Sequence, residues 1–300
     1  MTVDGVGSTW ASSDDLFIGG GGNGTLSITG GGAVIAREAT IQGPCLLAIE
    51  VGNGSMLTLD DGAGKIRNYG TVRLIAGAGA EAGSVHAPIA AGTWTGDGVY
   101  RALGGTWDEI DHVFTVSDVE QGAAGAEVVV DLAEKQRVMI DDAETGWSVG
   151  ASFLAMPNST LLGVGASPIG GEVLDGLEGL LQSNASVLGG WEFAATGGYA
   201  SGDPAYLSFD IGPGSSREDL LVWHRDGADW SRYAARDLTY DGTYASFTVT
   251  ELSAYAVTTV PEPSTMTLLL LGLGTMALAA RRRWRRMVFC GVGRTTTLCS

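Results

Sequence analysis

The chain has 300 residues, with 17 Lys+Arg against 34 Asp+Glu and a formal net charge of −17. Removing residues 260–300, which hold six arginines and Glu262, leaves 11 basic and 33 acidic residues, so the body carries −22. Such a surface repels nucleic-acid phosphates and anionic membranes, which excludes nucleic acid as a partner. Cys45 is the sole cysteine of the body, so packing or repetition, and not an intrachain disulfide, must stabilise it.

Residues 1–105 alternate short β-branched or Leu segments with glycine clusters: Leu16–Ile18, Leu26–Ile28, Ala33–Ile35, Leu46–Val51, Met56–Leu59 and Val72–Ile75. Alternation within each segment has period two, and the glycines supply the positive φ that sharp corners need. The pattern predicts short strands stacked into a β-solenoid, with a Gly-turned β-sandwich as the rival. Gly22-Asn23-Gly24-Thr25-Leu26-Ser27-Ile28 and Gly52-Asn53-Gly54-Ser55-Met56-Leu57-Thr58-Leu59 read as one unit repeated 30 positions later. A spacing near thirty suits one or two rungs, and the unit resembles the Gly-x-Gly-x-Leu-x-Ile repeats of autotransporter-like β-helices.

Residues 106–190 read as a mixed region. Val113–Val116 and Val128–Leu132 predict strands, while Val173, Leu174, Leu177, Leu180 and Leu181 recur at helical spacing. Residues 191–259 return to strands: Ala205–Ile211, Leu220–His224, Trp230–Tyr233, Tyr244–Thr250 and Tyr255–Thr258, with turn signals between them. Their spacing predicts an antiparallel β-sandwich module. Trp223, Trp230 and Tyr233, with Tyr240 and Tyr244, give this module aromatic faces suited to stacking on sugar rings.

Catalytic constellations are thin. His86, His112 and His224 are scattered, with no second His or Cys within four residues of any of them, so zinc-type spacing is missing. Laying a calcium-binding Gly-Gly-x-Gly-x-Asp repeat on Gly19, Gly20 and Gly22 puts Gly24 where the carboxylate ligand belongs. Asp14-Asp15, Asp60-Asp61 and Asp141-Asp142 read as solvated acidic turns. The reading is therefore a non-enzyme without cofactor or metal. A polysaccharide-degrading or carbohydrate-binding protein is the alternative.

The C-terminal segment is the most informative. Val260-Pro261-Glu262-Pro263-Ser264-Thr265 runs into the uncharged stretch Met266–Ala280, which stops at Arg281, Arg282, Arg283, Trp284, Arg285 and Arg286. Fifteen helical residues cover about 22 Å, near the lower limit for a bilayer span once Ser264 and Thr265 are added and the arginines snorkel. The arginines orient it by the positive-inside rule, with the body on the far side of the membrane. Pro261 and Pro263 keep the preceding strip extended and open to a protease. These three parts together resemble the PEP-CTERM sorting signal. The resemblance implies recognition by an exosortase, transit through the inner membrane, and delivery to the cell surface or exterior.

Residues 287–300, with Cys290 and Cys299, extend past the usual end of such a signal and read as an unstructured tail. The first residues show no basic or apolar leader, so an N-terminal truncation is expected. The predicted fold is mainly β: an N-terminal β-solenoid, a C-terminal antiparallel β-sandwich, and a single C-terminal transmembrane helix. The predicted role is an exported scaffold or adhesin associated with exopolysaccharide or biofilm.

Overall fold

The structure is a computed structural model that describes residues 1–156, 160–181, 185–197 and 202–259. The first 103 residues wind through triangular rungs. The first rung comprises β1 (Thr2–Asp4), β2 (Thr9–Ala11) and β3 (Leu16–Ile18), and the second β4 (Thr25–Thr29), β5 (Ala33–Ala36) and β6 (Ala39–Ile41). The third has β7 (Leu46–Val51), β8 (Met56–Leu59) and β9 (Lys65–Asn68). The fourth has β10 (Thr71–Ala76), then β11 (Val85–His86), which leaves the coil, then β12 (Ile89–Ala90) and β13 (Thr93–Thr95). β14 (Val99–Leu103) opens a further turn, and three parallel sheets result, led by β1-β4-β7-β10-β14.

Repetition stabilises this part. Leu26, Leu47, Val72 and Tyr100 are register partners along the first sheet, as are Val3, Ile28, Ile49, Leu74 and Ala102. These rows face Val34, Leu57, Ile41 and Ile66 of the other two sheets in one core. Each fully buried Leu or Ile contributes roughly 1.5–3 kcal/mol. No rung could bury that surface alone.

The thirty-residue unit is not the rung. Thr2 pairs with Ser27, Thr25 with Leu46, Leu46 with Thr71 and Thr71 with Val99, so rungs advance by 25, 21, 25 and 28 residues. Thr25–Thr29 lies in the first sheet and Met56–Leu59 in the second. Even the corners differ: Gly52 and Gly54 hold φ of 103° and 90°, whereas Gly22 and Gly24 stay outside the left-handed region. Similar residues precede a strand at both places because any corner favours small and turn-forming residues.

A hairpin of β15 (Gly105–Asp108) and β16 (Val113–Val116), joined by β11, closes the end of the coil. Phe114 and Val116 are buried in the solenoid core. Twelve strands then form two six-stranded sheets: β17 (Val119–Ala123), β18 (Glu127–Asp131), β19 (Arg137–Asp141), β20 (Ser148–Ser152), β21 (Leu161–Pro168) and β22 (Val187–Gly197), followed by β23 (Ala205–Asp210), β24 (Leu220–Asp226), β25 (Asp229–Arg232), β26 (Thr239–Tyr240), β27 (Tyr244–Val249) and β28 (Ala254–Thr259). One sheet has the order β17-β19-β20-β23-β27-β26 and the other β18-β21-β22-β28-β24-β25. The expected boundary at 190/191 falls inside β22, and both sheets draw strands from either side of it. The sandwich therefore spans residues 119–259, and residues 106–116 belong with the solenoid. The expected helix is present as α1 (Glu172–Glu178), with Leu177 buried.

The sheet containing β23 is covered on both faces. Leu207, Phe209, Phe247 and Val249 point into the sandwich core. On the opposite face Tyr206 packs with Ala48, Ile75 and Leu103, from the outer face of the first solenoid sheet, and with Leu154. That seam is rich in hydroxyls: Ser246 Oγ donates to Ser208 Oγ at 2.9 Å, Tyr206 Oη bonds Thr239 Oγ1 at 3.0 Å, and Ser152 Oγ donates to the Ala76 carbonyl at 3.1 Å. Gly104, at φ 73°, donates to the Phe153 carbonyl at 2.8 Å, and a Cβ there would fall 2.8 Å from Ser152 Oγ. Among the described residues, no helix is long and apolar enough to cross a membrane. The helix expected at 266–280 lies outside those residues.

Candidate functional site

The sugar-stacking residues expected from the sequence are spoken for by packing. Trp223 and Trp230 are 7% and 9% exposed and join Leu177 and Ile169 in a satellite core beneath α1. Their indole N–H groups donate to Thr258 Oγ1 at 2.9 Å and to the Val173 carbonyl at 3.1 Å, and the Arg232 guanidinium covers one face of Trp223. Tyr233 is half-buried and donates to the Thr248 carbonyl at 3.0 Å; Tyr240 donates to the Gly212 carbonyl at 2.6 Å. Trp223 and Trp230 thus lie on the face of their sheet that α1 covers, and Tyr233 and Tyr240 pack against the sandwich core. Val260, Pro261, Glu262, Pro263, Ser264, Thr265 and the basic cluster Arg281, Arg282, Arg283, Arg285 and Arg286 lie outside the described residues.

A different set of aromatics gathers at the end of the solenoid. Trp94 on β13 pairs with Ile66, and Tyr100 on β14 pairs with Val72, so at the last rung the inward ladder changes from aliphatic to aromatic. Trp107 on β15 completes the plate. Tyr100 and Trp107 stack at 5.6 Å between centroids and 15° between planes, and Trp94 lies 6.2 Å from Tyr100 and 6.0 Å from Trp107. His112, in the left-handed region at φ 55°, lays its imidazole on Trp94 at 3.9 Å. The hairpin turn that carries it is held by Asp108 Oδ1, which accepts from the amides of Ile110 at 2.7 Å and Asp111 at 3.0 Å. Those bonds favour the Asp108 carboxylate and hold it below its usual pKa range.

This plate floors two adjoining depressions of about 480 and 150 Å³, and Tyr100, Trp107 and Glu109 line both. Arg101 edges the larger and Trp94 with His112 the smaller. Trp94 Nε1 donates to the Ala91 carbonyl at 3.2 Å, whereas Trp107 Nε1 is buried without an acceptor among the described residues. Burial pushes the Tyr100 phenol up to about 12. The sequence carries a signal for this cluster in its closely spaced rings at 94, 100 and 107, amid Gly96, Gly98, Gly104 and Gly105. What brings them together is pairing across three different strands.

A separate cavity, of about 270 Å³, opens at the seam between Glu50, Asn53, Asp241, Thr243 and Tyr244. Glu50 Oε2 accepts from the Gly30 amide at 3.0 Å and from Asn53 Nδ2 at 2.7 Å. Burial nevertheless pushes the Glu50 carboxyl up to about 7; those bonds pull it down, and Asp241 and Asp4 add to the rise. The site can hold a proton. Among the described residues, no three His, Cys, Asp or Glu side chains gather to hold a metal ion.

Comparison with known proteins places one feature. Residues 259–283 match the family model of the PEP-CTERM protein-sorting motif. No curated protein and no solved structure matches the chain. The motif marks the chain for exosortase processing, after membrane transit, and for the cell surface or the exterior. The match begins on Thr259, the last residue of β28. Since β28 pairs with β22 on one side and β24 on the other, the folded body runs up to the sorting segment.

Proposed function

We propose that the body is a non-enzymatic scaffold or adhesin of the extracellular matrix, associated with exopolysaccharide, which the sorting segment carries through the inner membrane. The observation that supports this reading best is the seam. Arg137, 3% exposed, donates to the carbonyls of Gly77, Ala78, Ala80 and Ser117 at 2.9, 2.8, 2.9 and 3.3 Å, so a single sandwich side chain clasps the loop that leaves β10. The solenoid is thereby fixed along the face of a sheet, as a stiff element and not as one half of an opening clamp. A part that bears on a matrix needs that stiffness.

The test is expression of the chain in an exosortase-producing host and in its exosortase-null derivative. Mass spectrometry of the surface fraction should lack peptides beyond Arg286 in the first host, with the uncleaved chain held in the membrane of the second. Their recovery from the mature surface protein would make the chain a stable membrane anchor. The processed protein, incubated with the host's exopolysaccharide, should leave its chain length unchanged. Depolymerisation would replace the scaffold with a polysaccharide-degrading enzyme.

A further inference from the structure

We infer that the plate of Tyr100, Trp107 and Trp94 at the end of the solenoid is a binding site for a pyranose saccharide. The inference deepens the matrix reading and rests on it only for where such a saccharide comes from.

Closing the core does not account for this plate. Leucine or phenylalanine would seal the last rung equally well, and phenylalanine in place of Trp107 would avoid burying an indole N–H with no acceptor. The rings are also reached by two depressions, of about 480 and 150 Å³, the larger within the range of ordinary ligand sites. Their geometry selects among ligands. A quaternary ammonium needs ring faces turned toward a common point. Tyr100 and Trp107 instead stack nearly parallel, 15° apart, so their faces do not converge and the stack offers a flat platform, with Trp94 tilted beside it by 44–49°. A pyranose fits a platform, because its axial C–H groups meet the electron-rich ring face while its hydroxyls project around the edge. At that edge stand Arg101 and Glu109, both exposed, to donate to and accept from those hydroxyls. His112, pinned on Trp94 by the 108–111 turn, fixes the orientation of the third ring.

The experiment uses the full chain in detergent micelles and a panel of hexasaccharides of glucose, N-acetylglucosamine, galactose and mannose, with choline as control. Calorimetry and tryptophan fluorescence should show at least one hexasaccharide binding and choline not binding. The exposed pair Arg101→Ala/Glu109→Gln should lower the association constant about tenfold with circular dichroism unchanged, and Trp107→Phe should lower it with the core still closed. Three results overturn the site: no hexasaccharide bound at about 10 mM, choline bound in its place, or binding unaltered in both variants. Self-association of the unliganded protein that these variants abolish would also overturn it, and would make the plate a contact between copies. Surface delivery in the exosortase host is a separate readout. Its loss would strike the sorting reading and leave the saccharide site standing.

Discussion

Arg73, on the outer face of the solenoid, places Nη1 3.9 Å from Asp237 Oδ2 of the sandwich, with both side chains largely buried. Thr248 bridges them: its Oγ1 accepts from Arg73 Nη1 at 3.1 Å and donates to Asp237 Oδ2, while its amide donates to Asp237 Oδ1 at 3.2 Å. The pair joins the two parts of the fold across the seam by opposite charge as well as by hydroxyl contacts.

Breaking that pair from one side should be costly. Asp237→Ala leaves the guanidinium buried without its counter-charge and should cost about 3 kcal/mol, whereas Arg73→Met/Asp237→Leu should recover most of the loss. Urea unfolding of the three proteins measures this. A single variant as stable as its parent would show that the pair contributes nothing.

The Arg137 clasp should tolerate no shorter donor. Arg137→Ala orphans carbonyls on the loop and the linker and should cost about 3 kcal/mol. Arg137→Lys should restore little of it, because one ammonium cannot reach all four acceptors in the geometry of a planar fork. Full rescue by lysine in the same unfolding assay would refute the clasp.

Glu50 makes stability depend on pH. Its carboxyl rises from 4.5 to about 7 in the fold, so the folded state binds the proton more tightly than the unfolded chain. Its contribution is complete below about pH 4.5 and is lost as pH climbs through about 7, a change of roughly 3 kcal/mol. Glu50→Gln should therefore match the parent near pH 4 and exceed it near pH 8. Parallel melting curves for the two proteins across that window would contradict the assignment.

Gly104 should resist substitution. At φ 73° and against Ser152, Gly104→Ala meets both backbone strain and a clash, and about 2 kcal/mol should be lost. Thermal unfolding reports it, and an unchanged midpoint would mean that the seam yields there.

Pro261→Ala/Glu262→Ala/Pro263→Ala removes the recognition strip and leaves the body untouched. Mass spectrometry of the membrane fraction should then recover the variant with its Arg281–Arg286 region intact, and the surface fraction should lose the processed body. Normal processing of this variant would move the cleavage determinant elsewhere.

Much of the coil was legible because its signal is local. Leu26 and Val72 alternate with polar neighbours and, like Leu47, sit between glycines, which is all that a short strand with one buried face requires. The rung period was not legible: Gly22-Asn23-Gly24 and Gly52-Asn53-Gly54 look alike, yet they turn the chain into different sheets. Ser208 and Ser246 show what alternation leaves open. Alternation with Leu207, Phe209 and Phe247 puts them on the opposite face of the sheet, where the solenoid covers them and their hydroxyls bond each other. Trp223 and Trp230 carry ring faces suited to a ligand but are core, whereas Trp94, Tyr100 and Trp107 lie on three strands that only the fold brings together.

By itself the sequence determined the destination of this protein and the kind of backbone it has. Both depend on contiguous residues: a proline strip, an apolar run and arginines for the first, and period-two alternation punctuated by glycine for the second. Only the tertiary structure decided where one domain stops, which faces are buried, and where an aromatic platform lies. Those depend on pairs such as Arg73 and Asp237 or Tyr100 and Trp107, whose proximity comes from strand register and sheet packing, not from neighbouring positions in the chain.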